Sequence, residues 1–188
     1  MAVTLLLIGW KPPSGRDSDY GEMISGNLRA SVYYALSSHY WITRIAAIVG
    51  HQGSTATIQL AVYDSDGDPN TLLGRTGDIS ITTAMSSASG GQEAIAALAY
   101  SNMLSTKGAL LRSNVVPSVA IFDKTGAIRH GFRPASAWSD DVNKNLYTAS
   151  GQGSVPTSYP AVSGEYEGWV SAWFEAYPNE APQVPLFR

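Results

Sequence analysis

Thr57-Ile58-Gln59-Leu60-Ala61-Val62-Tyr63 sets Ile58, Leu60 and Val62 at every second position. Period two is the signature of a strand that turns one face to a core, so these three side chains are expected to point inward. The turn-forming run Gly50 to Ser54 precedes this strand, and Asp64-Ser65-Asp66-Gly67-Asp68-Pro69-Asn70 follows it. Gly, Pro, Asp and Asn mark turns because they tolerate or preset the backbone angles a reversal needs. Upstream, Trp41 to Val49 reads as a second strand. Strict alternation would put Ile42, Arg44, Ala46 and Ile48 on one face and Thr43, Ile45, Ala47 and Val49 on the other. Downstream, Asp78 to Thr83 repeats the pattern with Ile79 and Ile81.

The same reading extends to both ends. Residues 2–8 form a first strand, Lys11 to Asn27 a long loop rich in Pro, Ser, Gly and Asp, and Leu28 to Ala35 another strand. The Ser/Gly tract 86–91 is a loop, and residues 92–104 lean to strand because their flanks and context outweigh their helix-forming Ala and Leu. Lys107-Gly108 marks a turn. Ser118 to Phe122, a turn at Asp123 to Gly126, and Ala127 to Phe132 make a hairpin. Residues 134–164 hold no regular element, and a loop of that length is commonly functional or ordered by a partner. Glu167 to Tyr177 is the last strand, and the Pro-rich residues 178–188 form an extended arm. Many short strands separated by turns indicate an all-β sandwich or barrel. One domain over residues 1–177 and the arm at 178–188 account for the 188 residues.

Only 14% of residues are charged, against roughly 25% in ordinary soluble domains. Such a surface costs little to desolvate and suits a protein covered by neighbours. Arg outnumbers Lys eight to four, a bias found at protein interfaces. A net charge of −3 without a basic cluster argues against nucleic acid. No stretch is long and apolar enough for a membrane span, and Met1 to Gly9 lacks the basic start and cleavage site of a signal peptide. Synthesis in the cytoplasm is therefore expected.

Trp41 to Gly50, then Thr57 to Asp64, then Leu72-Leu73-Gly74 resemble a jelly-roll β-sandwich module found on accessory proteins of tailed-phage virions and on some secreted glycan-binding proteins. The similarity covers roughly residues 40–82 and is looser at Ser118 to Phe122. It implies a jelly-roll-like sandwich with long loops, decorating a capsid or tail and located in the virion. Its partners would be other virion proteins and copies of itself, with a trimer one such assembly.

Chemical motifs are scarce. Asp64, Asp66 and Asp68 alternate as in a calcium loop, but Pro69 stands where Gly is wanted and Arg75 where Glu is wanted. A hairpin turn explains them better. His39, His51 and His130 lie on separate segments without ligand spacing, and Cys is absent, so no metal is expected. Signatures of zinc proteases, serine hydrolases and P-loops are missing, which points to a non-enzymatic protein needing no cofactor. Glu165 and Glu167 would sit about 7 Å apart on one strand face, a spacing that glycosidase carboxylates also reach but across a cleft. Aromatic residues are the positive signal. Trp138, Tyr147 and Tyr159 in the long loop, with Trp169 and Trp173 on the last strand, are the candidate anchors for a partner or a surface glycan. A carbohydrate-binding module using these rings is the alternative function. Trp169 and Trp173 would share a strand face, with at least one in the core.

Overall fold

The alternation at Ile58, Leu60 and Val62 becomes the centre of an all-β sandwich. The computed structural model describes residues 6–9, 19–32, 39–66, 68–86, 91–97, 109–113, 116–134 and 145–178. Its strands are β1 (Leu6–Gly9), β2 (Asp19–Ile24), β3 (Leu28–Val32), β4 (Tyr40–His51), β5 (Ala56–Asp66), β6 (Asp68–Arg75) and β7 (Ile79–Ile81). They continue with β8 (Gln92–Ala97), β9 (Ala109–Leu111), β10 (Val116–Thr125), β11 (Ala127–Pro134), β12 (Asn145–Ala149), β13 (Gly164–Val170) and β14 (Ala172–Pro178). Every ladder between strands is antiparallel, and the described residues contain no helix.

Two sheets face each other. The first runs β6–β5–β10–β3–β12–β13, with β7 also on β5. The second is built on β4, which pairs β14 and β11 along one edge and β8 and β9 along the other. β1 adds to β14, and β2 to β11. Ile58, Leu60, Val62, Val119 and Ile121 from the first sheet meet Ile42, Ile45, Val49, Ile128 and Phe174 from the second in one core. Burying a side chain of this size contributes about 1.5–3 kcal/mol.

Several expectations need correction. The loop expected at 11–27 contains β2, because Met23 has a place in the core and the strand completes the edge of β11. The expected turn 64–70 is a tight hairpin, with Asp66 opposite Asp68 and the unforeseen strand β6 following it. In β4, Thr43 is an extra residue opposite β14, where Glu175 faces Arg44 and Ala176 faces Ile42. This bulge rotates the start of the strand, so Ile42 joins Ile45, Ala47 and Val49 in the interior instead of sharing a face with Arg44. The span expected to be irregular, 134–164, contains β12, which pairs with both β3 and β13. The single last strand is two, β13 and β14, broken at Ser171.

That break has a geometric cause. β4 and β11 pair at His51–Val49 and Ile128–His130, then diverge. The chain enters this fork with Val170 paired to Phe132 of β11 and Ala172 paired to Ala47 of β4. Ser171 holds both arms, its N–H donating to the Gly131 carbonyl at 2.7 Å and its carbonyl accepting from Ile48 at 2.9 Å. A Cβ on Gly131 would lie 2.7 Å from the Ser171 Cβ, so only glycine fits there. Of the stretch expected as strand at 92–104, residues 92–97 are β8, and the remainder lies outside the described residues. So do the Ser/Gly tract from 87 to 90, the Lys107-Gly108 turn and the arm beyond Pro178.

Candidate functional site

The outer face of the first sheet holds a second apolar layer. Alternation in β5 that sends Ile58, Leu60 and Val62 inward sends Ala61 and Tyr63 outward, yet these are also fully buried. They pack with Leu28, Ala30, Leu72, Ala120, Phe122, Ala149 and Val155. Residues 150–163 cover them. This segment joins the neighbouring strands β12 and β13 by crossing the sheet to β6 and returning.

Backbone bonds fix the strap along its path. Gln152 N–H donates to Gly26 at 2.9 Å, Leu72 N–H to Thr157 at 2.9 Å, Tyr159 N–H to Asn70 at 2.7 Å and Ser163 N–H to Thr148 at 2.7 Å. Side chains add to them. Tyr63 donates its hydroxyl to the Pro156 carbonyl at 2.9 Å, and Arg75 reaches the Val155 carbonyl at 3.3 Å. The Tyr159 hydroxyl lies 3.0 Å from the Tyr147 carbonyl and 3.3 Å from that of Leu28, on strands β12 and β3. The Tyr63 and Tyr159 rings meet edge to face, 5.3 Å between centroids at 84°. Burial pushes both phenols well above the ordinary tyrosine range, so each remains a hydrogen-bond donor.

This arrangement corrects part of the aromatic reading. Tyr147 and Trp173 are 2% and 1% exposed, so neither presents a ring to a ligand. Tyr159 is half-buried and closes the strap over the outer layer. Trp169 lies on β13 opposite Arg133, on a different strand from Trp173, so the two do not share one strand face. Trp138 lies outside the described residues. Glu165 and Glu167 occupy alternate positions of β13, opposite Tyr147 and Asn145.

The histidines are dispersed. His39 accepts the Ser113 N–H at its Nδ1, 2.9 Å away, and His51 donates from Nε2 to the Thr82 carbonyl at 3.2 Å. His130 is fully buried between the sheets. Its Nδ1 lies 2.8 Å from the Gly131 carbonyl, which can only accept, and its Nε2 lies 2.7 Å from the Arg29 guanidinium, which can only donate. The ring is therefore neutral with its proton on Nδ1. Alternation within β11 puts His130 on the same side as Ile128, a signal the sequence carried but isolated motif spacing missed. Asp64 spends Oδ1 on the Thr71 N–H at 2.6 Å, which braces the β5–β6 hairpin. No three His, Asp or Glu among the described residues converge as a metal site.

The fold and this geometry define a two-sheet antiparallel sandwich with one outer face closed by its own chain. No protein-family model matches the sequence, and no curated protein matches it.

Proposed function

We propose that the chain is a non-enzymatic structural protein of a tailed-phage virion, decorating the capsid or tail through protein–protein interfaces and assembling with copies of itself. The observation that carries this reading is how the polar and aromatic groups are used. His130, Tyr63, Tyr147, Tyr159 and Trp173 all serve to hold the sandwich and its strap together. A rigid scaffold of this kind, with only 14% charged residues, suits recognition by broad contact.

Light scattering on the full chain and on a chain lacking residues 179–188 tests the proposal. A discrete oligomer that becomes monomeric on truncation is the expected result, and it makes the C-terminal residues an assembly arm. A monomer in both cases, coupled with binding on a glycan array, would overturn the structural reading in favour of a carbohydrate-binding module.

A further inference from the structure

Asp123 and His130 enter the sandwich from consecutive strands on opposite sheets, β10 of the first and β11 of the second. Asp123 continues the inward row of Val119 and Ile121 and stands across from Ile58 of β5. Its carboxyl is fully buried, and neither oxygen has a hydrogen bond of good geometry. Its backbone is firmly held: the N–H donates to Asn27 at 2.9 Å and the carbonyl accepts from Gly26 at 2.8 Å. The side chain therefore cannot swing to water without breaking the contact between the β2–β3 and β10–β11 turns. A buried carboxylate without partners is costly, whereas the protonated acid is far less so.

His130 has the opposite preference. Its Nε2 lone pair accepts from Arg29, so a proton there would remove that bond and set an imidazolium against a guanidinium. Gly21, paired with His130 across β2 and β11, leaves the room Arg29 needs, since a Cβ there would lie 2.6 Å from the guanidinium.

Ionisable groups flanking these two strands are engaged on the outside. Lys124 of β10 pairs with Asp78 at 2.6 Å. Arg129 of β11 pairs with Glu22 of β2 at 2.7 Å and lies 4.9 Å above the ring of Tyr20. On β5, Tyr63 belongs to the opposite face, and on β4, His51 bonds to Thr82. Arg29 is the charged group from β3, and it is placed on His130.

We propose that Asp123 and His130 form a matched pair whose opposite responses to acid hold the stability of the sandwich level through mildly acidic pH. Burial raises the Asp123 carboxyl from 3.8 to about 6, outweighing the pull of the Ile128 backbone N–H. The folded chain thus binds this proton more readily than the unfolded chain, and its penalty disappears as pH falls from about 6 towards 4. Burial, then Arg29, depress His130 from 6.5 to about 3, with the Gly131 carbonyl opposing. Here the unfolded chain takes the proton first, and stability is lost as pH falls below about 6.5. Between about pH 4 and pH 6 the two effects each change the unfolding constant about tenfold per pH unit, in opposite directions.

Urea unfolding of the full chain, Asp123→Asn and His130→Gln at intervals across this range tests the pair. Asp123→Asn is expected to be more stable than the parent at neutral pH, and its advantage should shrink about a hundredfold in unfolding constant between about pH 6 and pH 4. His130→Gln should show the reverse trend relative to the parent, recovering on acidification. Should that variant fail to fold, the His130 ring nitrogens of the intact protein can be followed by NMR. They are expected to keep the neutral Nδ1–H form down to about pH 4. A pH-independent difference between Asp123→Asn and the parent, or a His130 ring that titrates near 6.5, would overturn the proposal.

Discussion

Truncation of Trp173 to alanine is expected to lower the unfolding free energy by about 3–5 kcal/mol, the range for removing a buried aromatic ring. Trp173 is the largest fully buried side chain of the described residues, 1% exposed. Its neighbours across the two flanking strands are Ala46 on β4 and Gly9 on β1. Two minimal residues flanking one indole give it space in the row. Neither can expand to fill the cavity its removal would leave. Urea denaturation at neutral pH measures the loss, and the dependence on urea should keep its slope if the unfolded state is unchanged. A loss under about 1 kcal/mol would mean that the ring is not a core element. It would then return to the list of candidate anchors.

Tyr159→Ala should cost somewhat less, about 2–4 kcal/mol, because the ring is half-buried. The variant loses the edge-to-face contact with Tyr63 and the hydroxyl that joins the strap to Tyr147 and Leu28. Tyr159→Phe keeps the ring and should cost about 1 kcal/mol, the net worth of one hydrogen bond. Hydrogen exchange separates the local from the global effect. In Tyr159→Ala the Leu72 and Tyr159 amides, which bond between strap and β6, should lose protection while the β5–β10 ladder keeps its own. Equal loss in both places would show that the strap does not open as a unit.

These two residues also show what the sequence could and could not disclose. Period two at Ile58, Leu60 and Val62 was sufficient for the all-β sandwich. The hairpin expected around Asp123–Gly126 does not form. Gly126, at φ 101°, links β10 to β11, but β10 pairs with β3 and β5 while β11 pairs with β2, β4 and β13, so the chain crosses there from one sheet to the other. Tertiary pairing decided the rest. The Thr43 bulge follows from β14 lying alongside β4, and nothing local to Trp41–Val49 announces it. Alternation at Ile58, Leu60 and Val62 describes one buried face and leaves Tyr63 on the other, whereas this sheet is buried on both. Aromatic residues are equally suited to a core and to a binding surface. Trp173 and Tyr147 could therefore be located only once their neighbours were known.

The strap has one consequence beyond covering Tyr63. At Thr71 and Ser158 it adds an antiparallel bridge along the side of β6 that faces away from β5. A bare outermost strand is a template on which a foreign strand can grow, and repeated growth of that kind leads to fibres. Here the backbone amides of Leu72 and Tyr159 are already spoken for within the molecule. The first sheet is thus capped against polymerisation at β6 by the same chain that seals its face. Cutting the strap would unmask both hazards together.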